Sequence, residues 1–237
     1  EIIWQEMKQY TDIQEPELDE KVKKNIEEYK ALEAKYSDLR EGFTPKNIIQ
    51  SINKHLTQNT AVVTDVGQHQ MWAAQFYPYK NERQLITSGG LGTMGYGLPA
   101  AIGAKVANPD KTVIVFMGDG GFQMNMQELG TILQSNVGVK MVIMNNSWLG
   151  MVRQWQTLIY DKHYAATNLD RSPDFVKLAE AYGLKGARVC NVEQLEEAIR
   201  DALAWGHGYV IDCVIDMDEK VRPMVGGGSP ITKFIIC

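Results

Sequence analysis

Thr112-Val113-Ile114-Val115-Phe116-Met117-Gly118-Asp119-Gly120 and, further along, Val139-Lys140-Met141-Val142-Ile143-Met144-Asn145-Asn146 decide the fold of this chain. Apolar runs this short suit strands buried on both faces of a parallel sheet. One ends in a glycine turn that carries a carboxylate, the other in a pair of amides. Between them, Gln123 to Gln134 has helical character, with Met124, Leu129, Ile132 and Leu133 as the expected inner face. The unit reads strand, glycine turn, helix, strand. Open α/β sheets bind ligands at the carboxyl ends of their strands, where Asp119 and the Asn pair fall. A carboxylate with an amide oxygen suits a hard cation such as Mg²⁺, held at about 2.1 Å and completed by phosphate oxygens.

The alternation continues on both sides. Strands are expected at Thr60 to Asp65, Gln84 to Thr87, Leu184 to Val189 and Tyr209 to Ile215. Helices are expected at Gln68 to Phe76, Gly97 to Ala107, from about Gly150, at Pro173 to Tyr182 with Ser172 as cap, and at Val192 to Ala204. Thr44-Pro45 reads as N-cap and first residue of a further helix with Ile48, Ile49, Ile52 and Leu56 inside. This predicts an α/β fold, a doubly wound parallel sheet with helices on both faces. Residues 15 to 41 differ: Leu18, Val22, Ile26, Tyr29, Leu32, Tyr36 and Leu39 recur every three or four positions, an amphipathic helix. It reads as a connector, the end of a preceding domain, or a partner-binding helix. The expected division is a helical connector over 1–42, a cofactor domain over 43–217 and an irregular, glycine- and proline-rich tail over 218–237.

Composition narrows the function classes. The 237 residues are 44% hydrophobic and 22% charged, with a formal net charge of −5. No basic stripe marks a nucleic-acid partner, and no apolar run is long enough to span a bilayer. Cys190, Cys213 and Cys237 lie far apart without metal or redox spacing; their odd number excludes a complete disulfide framework and suits a reducing cytoplasm. The chain begins at Glu1 rather than Met, as an excised piece of a longer protein would.

Three further stretches carry chemistry. Asp65-Val66-Gly67-Gln68-His69-Gln70 leaves a strand and opens a helix, whose first N–H groups are open to an anion; His69 and Gln68 could add side-chain donors, or His69 could simply cap the helix. Gly89-Gly90-Leu91-Gly92-Thr93-Met94-Gly95-Tyr96-Gly97 is a glycine loop that is neither a dinucleotide fingerprint nor a Walker loop. Its Met94 fills the core or props a flat cofactor ring. Gly150-Met151-Val152-Arg153-Gln154-Trp155 puts Met151 and Trp155 on one helix face, as core or as pocket wall.

Gly118-Asp119-Gly120, about two dozen residues, then Asn145-Asn146 resembles the diphosphate–Mg²⁺ motif of thiamin-diphosphate enzymes. Gly67-Gln68-His69-Gln70-Met71-Trp72, Gly90-Leu91-Gly92-Thr93-Met94-Gly95-Tyr96-Gly97-Leu98-Pro99 and Gly150 to Trp155 resemble, more narrowly, the acetohydroxyacid (acetolactate) synthase large catalytic subunit, from Thr44 to the C-terminus. The resemblance implies that Asp119, Asn146 and the main-chain oxygen of Trp148 hold Mg²⁺. It implies that Val66, Gly67, Gln68, His69, Gly92, Met94, Gly120, Gly121, Leu149, Gly150 and Met151 contact thiamin diphosphate. Met151, Val152 and Trp155 would border the substrate, and the tail would close over the site. Position 121 is Gly where many relatives have Ser, which removes a hydroxyl contact.

The implied reaction joins two 2-keto acids, pyruvate with pyruvate or 2-ketobutyrate, with loss of carbon dioxide, in branched-chain amino acid biosynthesis. No catalytic side chain is assigned here, because the family's activating Glu lies in a pyrimidine-binding domain contributed by another subunit. A homodimer or tetramer, a small regulatory subunit and FAD in the full-length enzyme are further implications. The chain alone would turn over negligibly. A sister enzyme such as pyruvate oxidase or glyoxylate carboligase, and a non-catalytic cofactor-holding module, are the alternatives.

Overall fold

The structure, a computed structural model, describes residues 20–37, 42–230 and 233–235. They fall into two compact units, one within residues 40–221 and one made of the described residues of 1–39 and 222–237. The smaller unit contains helix α1 (Glu20–Ser37), solvated on the surface by ion pairs such as Lys23–Glu20 at 2.9 Å. Of the periodic apolar residues expected on it, Ile26 is exposed. Leu18 and Leu39, with the rest of 15–19 and 38–41, lie outside the described residues, as do the side chains of Val22, Tyr29, Leu32 and Tyr36.

The larger unit is built on β1 (Thr60–Thr64), β2 (Leu85–Ile86), β3 (Thr112–Gly118), β4 (Val139–Asn145), β5 (Lys185–Val189) and β6 (Tyr209–Val214). Every neighbouring pair is parallel, in the order β2-β1-β3-β4-β6-β5. The helices are α2 (Pro45–Lys54), α3 (Gln68–Phe76), α4 (Gly97–Ala107), α5 (Asp119–Asn125), α6 (Leu129–Gln134), α7 (Gly150–Leu158), α8 (Phe175–Ala181) and α9 (Val192–Ala204).

Alternate strand residues feed two cores. Val63, Val115, Met117, Met141 and Ile143 pack with Leu98 and Ala101 of α4, Phe122 of α5, Leu129 and Ile132 of α6, and Phe175 of α8. Val62, Ile114, Phe116, Val142 and Ile211 are buried on the other face, the side of α2, α3 and α9. Both faces are covered, which is why the strands read as unbroken apolar runs rather than alternating ones. Local signals set several boundaries. Thr44 Oγ1 accepts from the Asn47 N–H (3.3 Å) with Pro45 as first helical residue, and Asn191 Oδ1 caps α9 through Gln194 N (2.9 Å).

Three expectations fail, each for a local reason. The helix after the glycine turn starts at Asp119, and a 3₁₀ turn at Met126–Glu128 divides it. Each 3₁₀ residue advances about 120° instead of 100°, so the inner face shifts between the two helices: Phe122 before the turn and Leu129 and Ile132 after it are buried, while Met124 is exposed; Leu133, in the second helix, is exposed as well. The helix expected from Pro173 starts at Phe175, capped by Asp174, whose Oδ1 accepts from Val176 N and Lys177 N. Ser172 is not its cap; its Oγ donates to the Leu169 carbonyl (2.7 Å). The tail is not wholly irregular, since β7 (Met224–Val225) and β8 (Phe234–Ile235) pair antiparallel in the smaller unit.

Candidate cofactor and metal site

The chain leaves β1 for β2 on one flank and returns to β3 on the other, though β1 and β3 are adjacent. Such a divergence opens a crevice at the strand ends. Here it is a cavity of about 220 Å³ walled by the exits of β1, β3 and β4. Val66, Gly67, Gln68 and His69 come from the first exit, Gly118, Asp119, Gly120 and Gly121 from the second, and Asn146, Trp148, Leu149, Gly150, Met151 and Val152 from the third. Gly92 and Met94 of the glycine loop close it. Trp72 and Met144, which sequence reasoning did not single out for the site, line it as well. Trp155 does not; it lines a separate cavity with Val152, Ile159 and Tyr160.

Asp119 is 1% exposed, and its Oδ2 is buried without a hydrogen-bond partner. Burial pushes its carboxyl up to about 7 and the Asp212 charge adds to this, while the N–H groups of Gly120, Asp119 and Ser147 pull the other way. A native fold rarely leaves a buried carboxylate oxygen unpaired, and such an oxygen is the kind of donor a hard divalent cation takes. His69 Nε2 is likewise buried and unpartnered. Burial lowers its imidazole to about 4 against the attraction of Asp65, so the ring is neutral at physiological pH. Among the described residues, no Lys or Arg lines the cavity, and no cluster of three His, Cys, Asp or Glu could hold a metal.

The β4 exit is shaped by its two amides in different ways. Asn145 Nδ2 donates to Asp212 Oδ1 on β6 (2.8 Å), and Asn145 Oδ1 accepts from Ser147 N (3.2 Å). Asn145 therefore braces the turn, in which Ser147 sits at φ +58°. Asn146 Oδ1 accepts from Trp148 N (3.0 Å); an amide oxygen has a second lone pair, and Asn146 lines the cavity. Leu149 N to Thr167 O (2.8 Å) and Leu169 N to Ser147 O (2.7 Å) pin the loop. The Arg153 guanidinium stacks 4.1 Å over the Trp148 ring and pairs with Asp218 at 2.8 Å.

The glycines are required by close approach. A Cβ at Gly120 would stand 2.6 Å from Leu149 Cδ2, and one at Gly121 would stand 2.5 Å from Asp65 Oδ1. A side chain at position 121 would therefore have to displace the Asp65 carboxylate from its present position. Asp65, 1% exposed, is the organiser that the sequence reading passed over. Its Oδ1 accepts from Gly95 N (3.0 Å) and its Oδ2 from Gly97 N (2.8 Å), binding the glycine loop to the β1 exit. A carboxylate at a strand end followed, at a distance, by a glycine-rich loop was the available signal. A Cβ at Gly150 would run into Gln68 Oε1 and Asn146 Nδ2, so its close approach is to side chains of the protein.

Residues 65–213 match the family model described as thiamine pyrophosphate enzyme, C-terminal TPP binding domain. The chain belongs to this family. Its strand exits, glycine loop and Asn pair all lie inside the matched span. Among curated relatives, it is 47% identical over 200 residues to the acetolactate synthase large subunit of Lactococcus lactis subsp. lactis (strain IL1403), covering 84% of this chain and 35% of the relative. It is 48% identical over 192 residues to the acetolactate synthase large subunit of Cyanidium caldarium, covering 81% and 32%. It is 46% identical over 188 residues to the probable acetolactate synthase large subunit of Methanococcus aeolicus, covering 79% and 31%. The chain thus spans about a third of the length of the curated relatives it matches. Among the described residues, no helix is long and apolar enough to cross a membrane.

Proposed function

We propose that this chain is the cofactor-diphosphate and Mg²⁺ domain of an acetolactate synthase, which condenses pyruvate with pyruvate or 2-ketobutyrate and releases carbon dioxide. One observation carries the metal reading: Asp119, with a buried oxygen that has no partner, lines a cavity where no Lys or Arg is found among the described residues. A diphosphate beside a carboxylate and no Lys or Arg needs a divalent cation between them. Asp119, Asn146 and the Trp148 carbonyl would be its oxygen donors; all three residues line the cavity. Thiamin diphosphate, when bound, supplies the nucleophilic carbon that attacks the keto group and takes up the electron pair released with carbon dioxide.

The protein's own part is position and charge. The N–H groups at the openings of α3 and α5 present positive dipole ends to the diphosphate. Neutral His69 contributes no charge that would compete with the cation. Met94, half-buried against the cavity, offers a flexible apolar support for a flat ring. Met151 and Val152 give the 2-keto acid an apolar wall, and Trp155 borders it from the neighbouring cavity that shares Val152. The domain division of the reading is a helical connector to residue 42, this cofactor domain, and a tail from 218. The widely spaced cysteines, with Cys190 and Cys213 both free thiols, support a reducing cytoplasm. A homo-oligomer supplying the pyrimidine domain, a regulatory subunit and FAD belong to the same reading, on the strength of relatives named as large subunits.

Calorimetric titration with thiamin diphosphate, with and without MgCl₂, tests the site. Binding should require Mg²⁺ and fall by roughly a hundredfold in Asp119→Ala, at the upper end of what loss of a metal-site partner produces. Unchanged Mg²⁺-dependent binding in that variant would refute the metal assignment. An acetolactate assay on the chain alone should give negligible turnover, and a rate near that of a complete synthase would refute the division of labour.

A further inference from the structure

Two buried carboxamides meet beside the cavity. Gln68, at the opening of α3, is 4% exposed; Gln154, in α7, is 2% exposed. Gln68 Nε2 donates to Gln154 Oε1 (2.8 Å) and to the Glu219 carbonyl (2.8 Å). Val221 N donates to Gln154 Oε1 (2.9 Å), and Gln154 Nε2 donates to the Val221 carbonyl (3.2 Å). Main-chain groups fix the orientation of both amides. Val221 N–H can face only an oxygen, and its carbonyl can face only an NH₂. Glu219 places the same demand on Gln68. Flipping either amide would set donor against donor or oxygen against oxygen.

Both hydrogens of the Gln68 NH₂ are used inside the protein. Its side chain therefore has no donor left for an anion, and its Oε1 can only accept. The role that remains is mechanical. Gln68 ties the α3 opening to α7, Gln154 ties α7 to the strap Glu219–Val221, and Trp72 Nε1 holds the same strap through the Lys220 carbonyl (3.4 Å). Gly150 packs against Gln68 Oε1, so the pair also sets the separation of two cavity walls.

We infer that Gln68 and Gln154 act as one positioning unit, which latches the 219–221 strap and holds the α3 and α7 openings at the spacing thiamin diphosphate requires. This deepens the proposed cofactor reading and rests on it. The two amides share the Gln68 Nε2–Gln154 Oε1 bond: without Gln154 one Gln68 N–H loses its acceptor, and without Gln68 the Glu219 carbonyl loses this donor, so either removal breaks the same link and the first carries most of the loss.

Titration of the full 237-residue chain with thiamin diphosphate at saturating MgCl₂ tests the pair. Gln68→Met and Gln154→Met should each weaken binding by about tenfold, and the double variant by no more than about the worse single one. Losses that multiply in the double variant would overturn the coupling. Unchanged affinity in both single variants would overturn the positioning role while leaving the cofactor site standing. A wild-type chain that fails to bind would overturn both readings. Gln154→Glu guards against misfolding: a neutral carboxyl offers the same acceptor and donor as the amide, and the charged groups beside it, Arg153 and Asp218, neutralise each other. Its affinity relative to wild type at the same pH should recover as pH falls, and a ratio flat with pH would overturn the proposal.

Discussion

Asp119, just past the end of β3, and Asp212, inside β6, are two buried carboxylates, 1% and 0% exposed, in opposite circumstances. Asp212, inside β6, has both oxygens engaged: Oδ1 accepts from Asn145 Nδ2 (2.8 Å) and Oδ2 from Arg188 Nε (2.9 Å). Arg188 in turn meets Asp174, the cap of α8, at 3.1 Å. Asp119, at the exit of β3, leaves one oxygen with nothing. Burial is common to both; satisfaction is not. The satisfied carboxylate is architecture, bracing the loop through Asn145. The unsatisfied one is a buried acceptor without a hydrogen-bond partner among the described residues, which is what the proposed cation site calls for.

Removing the satisfied carboxylate should do the most damage to folding. Asp212→Ala strands the Asn145 amide and one arm of Arg188, and a loss of about 3 kcal/mol is expected in urea unfolding. A loss under about 1 kcal/mol would break the contrast with Asp119. Without Mg²⁺, Asp119→Asn should do the reverse and stabilise the chain at pH 8, by something on the order of 2 kcal/mol. The sign follows from the raised carboxyl. Between its ordinary range and about 7 the folded state holds a proton that the unfolded state has lost. Wild-type stability therefore falls as pH rises through that window, and the penalty is complete above it. His69, lowered to about 4, has the opposite slope below its ordinary value; it is common to both proteins and cancels in the difference. Thermal melts in EDTA should show the gain at pH 8 and none near pH 4.

Smaller effects sharpen the same comparison. Gly121→Ala places a Cβ against Asp65 Oδ1 and should cost about 1 kcal/mol or more in stability, with loosening of the glycine loop visible as faster hydrogen exchange at Gly95 and Gly97. Trp155→Ala should be the mildest. Its ring lines the neighbouring cavity, so thiamin diphosphate affinity should change by less than about twofold; a tenfold loss would move Trp155 into the cofactor wall.

Much of this is legible in the sequence. The runs at 112–117 and 139–144 are strands, Gln68–Phe76, Gly97–Ala107 and Val192–Ala204 are helices as expected, and Thr44-Pro45 opens α2. These signals are local: caps, period and run length act within a few residues. The residues expected at the cofactor and metal line one cavity because each follows directly from a strand end or sits in a glycine loop. What escaped depends on a partner far along the chain. Gln68 reads as a phosphate donor until Gln154 and Glu219 are seen to use its hydrogens. Asp65 reads only as the end of a strand until Gly95 and Gly97 are seen to bind it. Met124 reads as core until the 3₁₀ turn rotates its helix.

By itself, then, the amino-acid order determined a parallel α/β sheet with acidic, amide and glycine residues gathered at its strand exits, since short-range preference and apolar period suffice for that. Tertiary packing alone decided which polar group is satisfied and which is left open to a ligand. Hydrogen-bond satisfaction is a property of pairs, and the partners of Gln68, Asp65 and Asp212 lie 86, 30 and 67 positions away along the chain.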